Sequence, residues 1–252
     1  MMINQKIALR FARVAVVVLL ASLIPVANLS AAPPYDPPEP IGPPEFARKA
    51  VAAARLTEIN GERSIRLIPA LVEAVEVSPN AYQLTYEVGI PKNLLDPEDS
   101  SPQTFEVFPF SVSAGSDSHN GCDSTVSVCA LLTLYYTDLG DHGYYQKTTN
   151  RWTRYDSTVT WSGAMLQAGC SANWYQKSGT CNTITTRNIG TPTSGTTYSY
   201  TPWFAGSANQ VYLNDLNGIA AFQSITLKRG ASTWQFSFCV NYEGDERILG
   251  CY

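Results

Sequence analysis

LYYTDLGDHGYYQ, residues 134–146, places Tyr135 and Tyr136 on one side of a Gly/Asp-rich loop and Tyr144 and Tyr145 on the other. Flat phenol faces held on a rigid strand can stack on the apolar faces of sugar rings, while nearby Asp, Asn and Thr take the sugar hydroxyls. Trp174, followed by Tyr175, and Trp203, followed by Phe204, repeat the aromatic doublet further along the chain. Tyr135, Tyr136, Tyr144, Tyr145, Trp174 and Trp203 are therefore the candidate ligand contacts. The same rings have a structural use, because cross-strand aromatic pairs stabilise a sheet by roughly 0.2–1 kcal/mol. The doubling argues for a hairpin first and a binding face second.

Catalytic signatures are sparse. A serine hydrolase needs a Ser–His–acid set, but the chain has two histidines, His119 and His142, and no G-x-S-x-G elbow. Both histidines sit in turn-forming stretches, SDSHNG and GDHG. A carboxylate pair for glycoside cleavage is set in space rather than in sequence. Glu106 in TFEVF and Asp156 in WTRYDSTVTW are the acids embedded in aromatic runs, where burial would raise a pKa toward the range of an acid catalyst. The structural alternative for Asp156 is an ion pair with Arg154. Hard oxygen ligands in glycine turns suit calcium, which makes Asp138 and Asp141, with Asp117, Asn120 and Asp123, lesser metal candidates. Neither stretch matches the EF-hand loop, no C-x-x-C offers a zinc site, and no glycine-rich phosphate loop or other cofactor signature occurs.

The elements that position these residues read as β-structure. If 134–146 is a hairpin turning at Gly140, Tyr136 faces Tyr144 and Tyr135 faces Tyr145. Adjacent strand residues point to opposite faces, so one pair enters a core and the other stands outside. Beyond His119 the composition shifts to Thr, Ser, Gly, Asn, Tyr and Trp, and all five tryptophans lie there. STVSVCALLTLYY, STVTWSG, TTYSYTPWF, NQVYLND, SITLKRG and STWQFSFCVNY are short, β-branched and aromatic runs, mostly separated by Gly, Asn, Asp or Pro. Residues 120–252 are thus predicted to form a disulfide-stabilised antiparallel β-sandwich or barrel, and at roughly 130 residues they are numerous enough for one core.

Upstream, PEFARKAVAAARLTEING predicts one helix from about Pro44 to Ile59, with Pro and Glu at its start and Asn60-Gly61 at its end. Ser78-Pro79-Asn80-Ala81 then predicts a turn between two strands, the second carrying Tyr82, Leu84, Tyr86 and Val88 on one face. The acidic stretch 45–119 is either a removable pro-region or the N-terminal part of the same fold. PPYDPPEPIGPP, within 32–44, predicts an extended linker.

Residues 1–31 resemble a secretory signal peptide in their physical layout. Lys6, Arg10 and Arg13 precede an apolar run from Val14 to Ile24, and small residues follow. That run is far shorter than the roughly 20 residues of a membrane span, so no stable membrane anchor is expected after cleavage. All six cysteines, Cys122, Cys129, Cys170, Cys181, Cys239 and Cys251, lie from position 122 onward, and an even number in an exported chain predicts disulfides. Sequential pairing, Cys122–Cys129, Cys170–Cys181 and Cys239–Cys251, is the simplest connectivity. Without the leader's three bases the chain carries 14 basic against 21 acidic residues. With no basic stripe it lacks the footprint of a nucleic-acid binder.

These readings converge on a secreted, non-catalytic protein that binds glycan or another cell-surface ligand through its aromatic β-domain. A secreted polysaccharide hydrolase with paired carboxylates, and an antagonistic toxin or inhibitor with a pro-region, are the competing functions. N-terminal sequencing of the exported protein is expected to begin at Ala32; a chain retaining Met1 would overturn the leader.

Overall fold

The computed structural model describes residues 43–59, 63–95, 122, 125–171, 183–213 and 217–243. Residues 1–31, read above as a signal peptide, most of the expected linker over 32–44, Trp174, Glu106, His119, Cys181, Cys251 and the Asp117–Asp123 calcium candidate lie outside these residues.

Among the described residues, alternating inward and outward side chains build twelve strands, joined by one short α-helix and two 3-10 turns. The helix α1 (Glu45–Arg48) leads into β1 (Ala50–Glu58), β2 (Ser64–Leu67), β3 (Ala70–Ser78) and β4 (Ala81–Pro91). The long hairpin strands β5 (Val126–Asp138) and β6 (His142–Arg154) follow, then β7 (Val159–Ser171), β8 (Thr183–Gly190), β9 (Thr197–Tyr200) and β10 (Val211–Tyr212). The last hairpin is β11 (Gly218–Arg229) with β12 (Ser232–Tyr242). Two antiparallel sheets result. One has the order β2-β1-β12-β11-β7-β8; the other runs β10-β6-β5-β4-β3, with β9 also pairing β6.

The inward faces of both sheets meet in one apolar core, a sandwich-like arrangement. Leu84, Val88 and Ile90 of β4, with Val128, Ala130, Leu132 and Leu134 of β5, share this core with Leu166, Ile225, Leu227, Phe236, Phe238 and Val240 of the facing sheet. Each aliphatic or phenyl side chain fully removed from water stabilises the fold by about 1.5–3 kcal/mol. One polar bridge crosses the interior: Asn150 Nδ2 on β6 donates to Gln223 Oε1 on β11 at 2.9 Å, and both residues are buried. A second couples the sheets at one end, where the Tyr242 hydroxyl of β12 donates to Asp138 Oδ2 of β5 at 2.6 Å.

The helix predicted over Pro44–Ile59 is corrected to a single turn followed by a strand. Glu45–Arg48 is helical, but Ala50–Glu58 pairs with β12 along its full length and with β2 over Ala54–Thr57. Alanine's helix preference is worth only tenths of a kcal/mol per residue. Hydrogen bonding on both edges and burial of Ala54 and Leu56 outweigh it. The described strands between Ala50 and Pro91 are consequently woven into both sheets, since β1 pairs β12 and β4 pairs β5.

Cys122 and Cys129 form a disulfide, with Cα atoms 5.4 Å apart. Cys170 on β7 and Cys239 on β12 are also disulfide-bonded. Cys181 and Cys251, the partners expected for them, lie outside the described residues.

The tyrosine hairpin exists, with a different register. A two-residue turn at Gly140-Asp141, closed by Leu139 N–H donating to the His142 carbonyl at 2.8 Å, replaces the turn centred on Gly140. Gly140 takes φ +100, a left-handed value suited to glycine. Tyr136 therefore faces Tyr145 and Thr137 faces Tyr144, while Tyr135 faces Lys147. Gln146 is the extra residue of a β-bulge between those pairs. Gly143 is sterically required in the same hairpin, because a Cβ there would lie 2.3 Å from the Thr137 carbonyl oxygen.

The bulge reconciles two buried rings. Tyr145 and Trp152 are both in the core although they stand an odd interval, seven positions, apart. A regular strand would put them on opposite faces. Burial pushes the phenol pKa of Tyr136 and of Tyr145 upward, and that of Tyr86 up to about 12. Deleting Gln146 is expected to leave a regular strand with the same inward set and a folded protein, losing about 1–2 kcal/mol at most. Deleting Thr149 must instead turn Lys147 inward or Trp152 outward, and is expected to cost several times more. Denaturant midpoints of the two deletions check this, and equal losses would refute the assigned bulge.

Candidate functional site

The hairpin register sorts the candidate tyrosines into two groups. Tyr136 and Tyr145 are 0% and 1% exposed and line the core, which corrects their place among surface ligand contacts. Tyr136 sits in a row of rings with centroids 5.5 Å from Tyr82 and 4.1 Å from Tyr242. Tyr135 and Tyr144 are half-buried on the opposite, outer face of their sheet. Lys147 holds its ammonium 4.4 Å from the centroid of the Tyr135 ring. Beside Tyr144, the Gln146 amide donates to the Thr137 hydroxyl at 2.8 Å.

The edge of β6 away from β5, where β9 and β10 pair, leads to two more rings. Tyr212 of β10 is the register partner of His142 and is 39% exposed. That places it diagonally across from Tyr144, at the roughly 7–8 Å spacing of diagonal neighbours in a sheet. Between β9 and β10 the chain leaves the β6 edge as a loop and touches back where Gly206 N–H donates to the Tyr145 carbonyl at 2.9 Å. Trp203 stands on this loop, 72% exposed. Its neighbour Phe204 is fully buried, edge-on to Tyr145 at 5.6 Å and to Trp203 at 5.7 Å. The doublet therefore divides its labour: Phe204 anchors the loop and Trp203 is held out.

Tyr135, Tyr144 and Tyr212 are thus partly exposed rings on the outer face around β6, and Trp203 is a fourth exposed ring on the loop that touches β6 at Tyr145. Polar groups continue the face away from the edge. The Gln83 amide donates to Glu73 at 2.5 Å, and the Thr85 and Thr133 hydroxyls lie 3.0 Å apart. Rings flanked by amide and hydroxyl groups can stack on a ligand and orient it without breaking any bond. Tyr212, Gln146 and Lys147 were not singled out by sequence. Only NQVYLND, read as a strand, hinted at Tyr212.

The chemical alternatives fare differently. Asp156 was expected to be raised by burial or paired with Arg154. Instead its carboxyl is held below the usual carboxylate range, first by the Thr158 hydroxyl at 2.7 Å and further by Arg229 at 3.5 Å. Arg154 is engaged elsewhere, donating to the Val159 carbonyl and lying over the Trp161 ring. Asp138 and Asp141 do not converge on a common cation position. Asp138 accepts Gly140 N–H at 2.8 Å and the Tyr242 hydroxyl, whereas Asp141 turns to His142. Among the described residues, three metal-ligating groups meet at Glu87, Cys122 and Cys129, and the disulfide removes both thiolates from that set.

No protein-family model, curated protein or solved structure matches this chain. The site is read from its own residues.

The Asp156 geometry carries a pH dependence. A carboxyl whose folded pKa lies below its unfolded value, about 3.9, stabilises the fold above that pH, and the contribution disappears as pH falls through the folded value. Asp156→Asn is expected to destabilise the protein at neutral pH and to flatten the loss of stability below about pH 4. Unfolding midpoints between neutral and acidic pH check it, and an unchanged acid limb would contradict the assignment.

Proposed function

We propose that this is an exported, non-catalytic binding protein that takes a glycan on the outer face of the β6 sheet. The observation that carries the reading is Trp203, 72% exposed and held out by a buried phenylalanine on the loop between β9 and β10, together with Tyr212 diagonal to Tyr144 across the β10–β6 pair. Leaving an indole in water forgoes burial that would stabilise the fold, and exposed apolar surface gains meaning when its members are contiguous. Flat rings with a sheet's rigidity, next to amides and hydroxyls, suit the alternating apolar and hydroxyl surfaces of a polysaccharide. The leader-like N-terminus and the Cys122–Cys129 disulfide support an extracellular setting.

Two readings stand behind it. A hydrolase would use Asp138 and Glu243, whose carboxylates lie 3.9 and 3.0 Å from Lys49 Nζ. The lysine between them and the Tyr242 hydrogen bond leave that pair serving as a structural clasp. A toxin released by removing residues 33–119 would lose β1 to β4, which supply strands to both sheets. That loss counts against a removable pro-region.

Among the described tryptophans, Trp203 is the solvent-facing one; Trp152 and Trp234 are fully buried and Trp161 is nearly so. Titration with soluble oligosaccharides and insoluble polysaccharides is expected to change tryptophan emission in the wild type but not in Trp203→Phe. Tyr144→Ala and Tyr212→Ala are each expected to weaken binding about tenfold, roughly 1.4 kcal/mol, the scale of a central aromatic contact. Release of reducing sugar would favour the hydrolase, and retention of full affinity in all three variants would remove the proposed face.

A further inference from the structure

The opposite sheet carries a feature that the aromatic face does not use. Arg55 on β1 and Arg66 on β2 are direct register partners. Their neighbours Ala54, Leu56 and Leu67 point into the core, so both arginines project from the outer face of the sheet, and both are exposed. Directly opposed strand residues have Cβ atoms about 4.5–5.5 Å apart, and like charges in that position destabilise the pair. The distance is shorter than the Debye length of about 8 Å at physiological ionic strength, so salt does not fully screen the repulsion.

Nothing in the described surroundings neutralises the two cations. Glu58, the acid nearest along β1, is paired with Arg63 at 3.0 Å. No described carboxylate lies within ion-pairing distance of Arg55 or Arg66.

Hydroxyl donors extend the same patch. Arg55 faces Ser237 on β12, and Ser237 faces Ser224 on β11, so one cross-strand row reads Arg66, Arg55, Ser237, Ser224. Ser224 is 3% exposed and its hydroxyl has no hydrogen-bond partner. In the next row the Thr57 and Ser64 hydroxyls lie 3.2 Å apart beside the arginines. Two guanidinium forks with hydroxyl donors around them match an oxyanion, whose several lone pairs accept bidentate arginine hydrogen bonds.

We propose that Arg55 and Arg66 form an oxyanion-binding clamp on the outer face of the β1–β2 sheet, separate from the aromatic face and independent of it. The bound group is a phosphate, a sulfate or a carboxylate. Its negative charge replaces the repulsion between the arginines with two attractions, so binding and folding stability are linked.

The test is thermal unfolding of the mature chain as wild type, Arg55→Gln and Arg66→Gln, in chloride, acetate, sulfate and phosphate at equal ionic strength. General salt effects on apolar burial move all three proteins together. In chloride each variant is expected to match or exceed the wild-type midpoint, because the repulsion is gone. In the recognised anion the order reverses, the wild type gaining roughly 2–4 °C over both variants at saturation. The anion producing the reversal distinguishes tetrahedral from planar recognition. Equal shifts in all three proteins with every anion would overturn the clamp, as would a wild type that is the most stable of the three in chloride.

Discussion

One extra residue in β6 governs which side chains this protein shows to solvent. A strand alternates its faces without exception, so the odd spacing between Tyr145 and Trp152 is incompatible with burying both unless the alternation is broken between them. The bulge at Gln146 breaks it once. Two large rings then enter the core on either side of the bulge, and Lys147, Thr149 and Arg151 turn outward. Turned the other way, the same segment would bury Lys147 and Arg151 at a cost of several kcal/mol for each unpaired charge.

The outer face follows from that choice. Tyr135 and Tyr144 share it because they lie on either side of the bulge, one beside Lys147 and the other opposite Thr137. The β9 and β10 strands then attach along the far edge of β6, and the loop between them holds Trp203 against Phe204. Each step removes apolar surface from water on one side of the sheet while leaving a ring exposed on the other. The interior is tied across by Asn150 with Gln223 and by Tyr242 with Asp138, directional contacts that an apolar core alone would lack.

The two sheets have different outer surfaces. Rings, amides and hydroxyls dominate the face built on β6, and the opposite face presents opposed arginines with serine and threonine hydroxyls. Asp156, the acid that looked most catalytic by its aromatic setting, is held ionised by Thr158 and serves a turn next to Arg229.

Composition and periodicity by themselves determined a β-rich chain, a leader-like start, a cysteine pair at Cys122 and Cys129 and a tyrosine hairpin with rings on both of its faces. These are local properties: β-branched and aromatic runs, turn residues and spacing report on nearest neighbours along the chain. Tertiary structure alone decided that Ala50–Glu58 is a strand, because its partners in β12 lie almost two hundred residues away. It also decided which tyrosines pair, since a bulge depends on what the facing strand and the core demand, and it set Arg55 against Arg66. The odd interval between Tyr145 and Trp152 was visible in the sequence all along. Its meaning required knowing that both rings are buried.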